Sequence, residues 1–84
     1  MRKTGQPERG VQLERVLREI ILMSQKGVTF AELAERFSVD VKTARRDLEV
    51  IERSGIPVYE VDLQRAQGEP KRFRVDSHFA RSIL

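Results

Sequence analysis

Between Val11 and Gln25 apolar residues return every three or four positions, at Leu13, Val16, Leu17, Ile20, Ile21 and Met23. That is the period of an amphipathic helix. Gly27 follows, and a glycine just past a helix end can take the left-handed conformation that releases it. The next stretch, "TFAELAERF", opens on Thr29 with Glu32 three residues later. In this capping-box spacing each side chain satisfies the other residue's free backbone N–H. Phe30, Leu33, Ala34 and Phe37 then form one face of a short second helix. Ser38 and Val39 make a brief turn, and Asp40 suits the N-cap of a third helix because its carboxylate accepts from unpaired N–H groups. The third helix is expected over about 41–54, closed by Gly55 and Pro57, with Val41, Ala44, Leu48 and Ile51 as its apolar stripe.

Beyond Pro57 the period falls to two. Tyr59, Val61 and Leu63 alternate with Val58, Glu60 and Asp62, and Phe73 and Val75 alternate with Arg72 and Arg74. Two strands are expected, with Tyr59, Val61, Leu63, Phe73 and Val75 facing the core. The intervening "QRAQGEP" reads as a loop longer than a tight turn. "SHFARSIL" can start a fourth helix with Ser77 as its cap. "MRKTGQPERG" has Gly5, Pro7 and Gly10 and no apolar residue after Met1, which predicts a flexible basic arm. The predicted fold is α+β, a winged helix-turn-helix over residues 11–76 made of a three-helix bundle and a two-stranded β-hairpin wing at about 58–75. Residues 1–10 are the arm, and 77–84 a tail or the start of a linker or dimerisation helix.

Composition narrows the chemistry. A chain of 84 residues fits one small domain. It has no cysteine and one histidine, so neither a disulfide framework nor a structural zinc is expected, and a reducing compartment is favoured. The longest apolar run is Ile20 to Met23, far short of the roughly 18 residues of a membrane span, and no signal-peptide core is present. A soluble, cytoplasmic, nucleoid-associated protein is expected. The formal net charge is +3, which mildly favours an anionic partner. Residues 64–75 alone carry +3, from Arg65, Lys71, Arg72 and Arg74 against Glu69.

The third helix carries the most specific expectation. With its apolar stripe facing inward, Lys42, Thr43, Arg45 and Arg46 project near its start, while Glu49 and Glu52 come later. In helix-turn-helix docking it is the N-terminal part of this helix that enters the major groove of double-stranded DNA. A guanidinium fork can donate twice to guanine O6 and N7 or to one phosphate, which puts Arg45 and Arg46 first. Asp47 stands beside these cations and is expected to pair with a neighbouring arginine, fixing its rotamer. Alone, the same charges also fit a solvated face with helical ion pairs. The three-helix order followed by a basic hairpin favours DNA.

Arg65, Lys71, Arg72 and Arg74 on the wing are then candidates for backbone or minor-groove contacts, or simply a charged edge that discourages aggregation. Arg2 and Lys3 of the arm could reach a minor groove. Tyr59 is in phase with the core and His78 is alone near the C-terminus, where a surface role is expected. No nucleophile elbow, phosphate-binding glycine loop or HExxH is present, so neither an enzyme nor a cofactor is expected. The rival reading is a winged-helix protein-interaction adaptor. A homodimer on a two-fold site is compatible with one small module per half-site.

The stretch "TFAELAERFSVDVKTARRDLEVIERSGIPVYEV" resembles the DeoR-type winged helix-turn-helix, most of all the N-terminal domain of bacterial WYL-domain transcription regulators. The resemblance covers about Leu13 to Val75. Thr43, Arg45, Arg46, Asp47, Leu48, Gly55, Ile56 and Pro57 match the family pattern, whereas Asp40 stands for its usual serine and Ala44 for its isoleucine. The resemblance implies a repressor or activator whose recognition helix carries Lys42, Thr43, Arg45 and Arg46. It also implies an effector bound by a further domain that this chain does not include, so the sequence reads as an excised DNA-binding domain or a small stand-alone regulator.

Overall fold

The computed structural model describes residues 6–61 and 68–83. Its elements run α1 (Gln6–Gln25), α2 (Phe30–Phe37), α3 (Val41–Arg53), β1 (Val58–Val61), β2 (Arg72–Val75) and α4 (Ser77–Ile83). The first helix starts five residues earlier than its apolar pattern predicts, inside the expected arm. Proline fits the first turn, where its missing N–H is not needed, so Pro7 does not stop it. Gly10 costs about 1 kcal/mol against alanine, which a 20-residue helix tolerates. Arg2 and Lys3 lie outside the described residues.

The helices and the sheet enclose one core. Val16, Ile20 and Met23 enter it from α1, Leu33 and Ala34 from α2, and Ala44, Leu48 and Ile51 from α3. Val28, Val75 of β2 and Ala80 of α4 complete it, with Phe30, Phe37, Ile56, Val58 and Phe73 packed around. Two stripes differ from expectation. Leu13, Leu17 and Ile21 stay exposed on α1, and on α3 Val41 is exposed while Asp47 is buried.

The helix ends follow the residues that predict them. Thr29 Oγ accepts from the Glu32 N–H at 3.0 Å while the Glu32 carboxylate accepts from the Thr29 N–H at 3.1 Å, completing the capping box. Between α2 and α3 the chain turns at Ser38, which sits in the left-handed region at φ 58°. An L-residue there costs about 1–2 kcal/mol that glycine avoids. Ser38→Gly should therefore stabilise the domain by about 1 kcal/mol, read as a raised midpoint in urea at unchanged slope. The α3 helix ends at Ser54, followed by Gly55 at φ 90°.

The sheet pairs Val58 with Val75, Tyr59 with Arg74, Glu60 with Phe73 and Val61 with Arg72. Val28 bridges to the other edge of β2 through paired bonds with Phe73. This register overturns the expected phase of β1. Cross-strand partners share a face, so the fully buried Val75 draws Val58 inward and Tyr59 is turned out, 45% exposed. Gly27 has a different role from the one expected. Its φ is not left-handed; instead a Cβ there would meet Val61 Cγ2 at 2.7 Å, so its bare backbone admits the wing against the end of α1. The fourth helix forms, with Asp76 rather than Ser77 taking the N–H of His78 at 2.9 Å.

Candidate nucleic-acid interface

The second and third helices and the Ser38 turn form a helix-turn-helix, and the residues at its tip explain how α3 is held. Asp40 Oδ1 accepts from the Thr43 N–H at 2.7 Å. Hydrogen bonds from the Thr43 side chain and backbone, with Lys42 and Arg46 nearby, hold the Asp40 carboxyl below the usual carboxylate range. Thr43, expected as a contact residue, is half-buried and engaged in this cap.

Lys42 and Arg46, with Glu49 and Arg53, recur at steps of four, three and four and form the outer ridge of α3. They lie opposite the buried Ala44, Asp47, Leu48 and Ile51. Arg53 and Glu49 approach to 4.0 Å late on this ridge. Lys42, Arg45 and Arg46 are exposed and make no salt bridge among the described residues; Asp40, the carboxylate near Lys42 and Arg46, is engaged as the N-cap. Arg45 lies to one side, its Cζ 5.1 Å from the centroid of the Phe30 ring. Phe30 in turn meets Phe73 of β2 at 5.1 Å between centroids. This stack ties Arg45 to the base of the wing and gives its long side chain a platform.

Asp47 is the largest departure from the sequence-based expectation. It points inward rather than pairing with a neighbour on α3, and it accepts two bonds from Arg15 of α1: Nε to Oδ2 at 2.5 Å and Nη2 to Oδ1 at 3.0 Å. Burial pushes the Asp47 carboxyl up, but the hydrogen bonds and charge of Arg15, with the neighbouring Glu19 carboxyl, outweigh it and hold the carboxyl below its ordinary value. Glu19 completes the cluster. It is fully buried, and neither of its oxygens has a donor among the described residues. Burial, then the neighbouring Asp47, pushes its carboxyl up to about 8. At neutral pH Glu19 is thus the protonated acid that can donate to ionised Asp47, and the two carboxyls hold one proton beside one guanidinium.

This proton affects stability. A carboxyl that titrates near 4.5 unfolded and near 8 folded favours the fold fully below 4.5, and that contribution is lost as pH rises through 8. Asp47, with its folded value depressed, acts oppositely and only at acid pH. The melting temperature should therefore fall from pH 5 to pH 8.5 in the native chain. Glu19→Gln, which keeps a donor for Asp47 without a titrating proton, should flatten that decline. An equal decline in both chains would place the proton elsewhere.

The wing places its cations unequally. Lys71 is exposed at the entry of β2. Arg72, expected to face phosphate, donates to Glu32 Oε1 at 2.8 Å and to the Gly27 carbonyl at 3.3 Å. The Arg72 guanidinium and the Thr29 N–H hold the Glu32 carboxyl below its ordinary range. Arg74 donates to the Ser24 carbonyl at 2.9 Å, with its Nε buried. Arg72 and Arg74 thus fasten the wing to the end of α1 and the start of α2. Arg74→Ala should cost about 1.5–3 kcal/mol through the lost charged hydrogen bond, measured by denaturant unfolding. Unchanged stability would return Arg74 to the solvent-facing role. Arg65 lies outside the described residues. Tyr59, on the same face as Arg74, is exposed.

The fold recurs in a solved structure. The solved homodimeric winged helix-turn-helix DNA-binding domain of Mb0332 from Mycobacterium bovis, described as a possible ArsR-family transcriptional regulator, superposes with a TM-score of 0.61 at 16% identity. The superposition covers 99% of this chain and 81% of that one. YobV of Bacillus subtilis (strain 168), described as an uncharacterized HTH-type transcriptional regulator, is 51% identical over 49 residues, 57% of this chain. Those residues are 16% of YobV, so the chain spans a small part of that relative's length. A family model described as an HTH domain matches residues 14–67. That match takes in most of α1, the whole helix-turn-helix and β1, and on it this chain belongs to the HTH domain family.

Proposed function

We propose that the chain is the DNA-binding unit of a transcription regulator and reads double-stranded DNA in sequence-specific fashion, with α3 in the major groove and the wing on the adjacent backbone or minor groove. One observation carries this reading. Lys42, Arg45 and Arg46 emerge near the start of the second helix of a helix-turn-helix without a salt bridge among the described residues, while Asp47 is turned inward onto Arg15 and Asp40, the exposed carboxylate beside them, is engaged as the N-cap. The face left outward is positive at the end that docking requires. Lys71 and Tyr59 are the exposed wing residues suited to phosphate and sugar contact. A DeoR-type or WYL-type regulator is the finer assignment, supported by "TARRDL" and the closing "GIP" of α3, and a cytoplasmic, nucleoid-associated location goes with it.

Selection from random duplexes, followed by affinity against salt, tests the proposal. Enrichment of one motif is expected, with log K falling against log salt by about 0.9 for each phosphate neutralised. No enriched motif would favour the adaptor reading.

A further inference from the structure

Half of the apolar surface of α1 is not used by the core. Val16, Ile20 and Met23 are buried, but Leu13, Leu17 and Ile21 are exposed by 62%, 39% and 45%. Four residues apart, they form one stripe about 12 Å long at 1.5 Å per residue. Single exposed leucines are ordinary, whereas a continuous apolar stripe rimmed by charge marks a contact surface. Beside Leu13 a shallow groove reaches the exposed Val50 of α3, and beside Ile21 another reaches Arg81 and the buried Ala80 of α4. Arg15 and Glu19, which hold α3, lie two positions either side of Leu17, about 160° around the helix. The stripe therefore faces away from the contact that anchors α3, and occupying it leaves Lys42, Arg45 and Arg46 free.

The charges beside the stripe select its occupant. Glu14 and Arg18 line its solvent edge one turn apart, paired at 2.9 Å and largely exposed. In two copies of α1 packed antiparallel about a two-fold axis at Leu17, Leu17 meets the partner's Leu17 and Leu13 meets the partner's Ile21. The axis brings like edges together, so Glu14 falls within about 3 Å along the helix of the partner's Arg18, and the reverse. The stripe and its edge are self-complementary in apolarity and sign. We infer that α1 is a homodimerisation surface, with Leu13, Leu17 and Ile21 as its apolar centre and Glu14–Arg18 exchanged across the two-fold. The association itself does not depend on DNA; only its use, presenting two α3 helices to a two-fold site, rests on the regulator reading.

Sedimentation of the whole chain, without DNA, over micromolar to millimolar concentration tests it. A dimer is expected. Leu17→Glu should give a monomer with an unchanged circular dichroism spectrum, since the position is at the surface. Glu14→Arg should weaken the dimer by roughly tenfold through like charges across the axis, and Glu14→Arg with Arg18→Glu should restore it. A monomer at every concentration overturns the proposal, as does a dimer indifferent to both Leu17→Glu and the charge exchange. Binding of the Leu17→Glu chain to a single half-site is read separately. Loss of the dimer with half-site binding retained supports both readings, whereas a dimer that binds no DNA sinks the regulator reading alone.

Discussion

Asp47→Ala is expected to destabilise the domain by about 3–5 kcal/mol, the cost of breaking a buried ion pair from one side. The Asp47 side chain is 1% exposed and that of Arg15 14%, so water cannot replace the lost carboxylate. Both guanidinium bonds go at once, and Glu19 loses the acceptor that makes its protonated form useful. For a domain of this size total stability is of order 4–13 kcal/mol, so the variant should be partly unfolded or close to it. Replacing the pair together, Arg15→Met with Asp47→Leu, should cost much less, because an apolar pair of similar bulk leaves no charge stranded. Denaturant unfolding of the three chains measures this. A loss below 1 kcal/mol for Asp47→Ala would mean that the cluster does not hold α3 against α1.

The second large effect is on binding. The double variant Arg45→Ala, Arg46→Ala should lose about 2–6 kcal/mol of specific affinity, each bidentate contact being worth about 1–3 kcal/mol. The two are adjacent, so the sum need not be additive. Stability should change little, because both side chains are exposed; what is lost is the Arg45 contact with Phe30, about 0.5–1 kcal/mol, and the Arg46 charge near the exposed Asp40. Titration of the selected duplex, with a melting curve of each chain, separates the two quantities. Wild-type affinity in the double variant would remove α3 from the interface.

Asp47 and its neighbours show what could be read before the structure. Thr29, Glu32 and Asp40 were legible because caps are local: donor and acceptor lie three residues apart, and the structure has both bonds where the spacing puts them. The wing's existence was legible from the change of period at Pro57. What escaped depends on distant partners. Asp47 belongs to the inner face of α3 by position, three after Ala44 and four before Ile51, yet its charge groups it with Arg45 and Arg46 until Arg15, 32 residues earlier, is known to reach it. Tyr59 reads as inward in the sequence because three apolar residues outnumber Val58 on the other phase, but the pairing of Val58 with Val75 decides the face. Arg72 and Arg74 look like free cations in the sequence; carbonyls of Ser24 and Gly27, exposed where α1 ends, take their donors. The half-used face of α1 shows the same limit, since a 3.6-residue period marks Leu17 as apolar without saying what covers it.

The most direct test of an α3 that reads the major groove is a thermodynamic cycle between protein and DNA. In the selected site each guanine is replaced in turn by 7-deazaguanine, which removes the N7 acceptor and keeps the base pair. Each duplex is then titrated with the native chain and with Arg46→Ala. At least one guanine is expected whose N7 matters to the native chain by about 1 kcal/mol or more and makes little difference to Arg46→Ala. Equal losses in both chains, or no loss at any guanine, would take Arg46 out of the major groove.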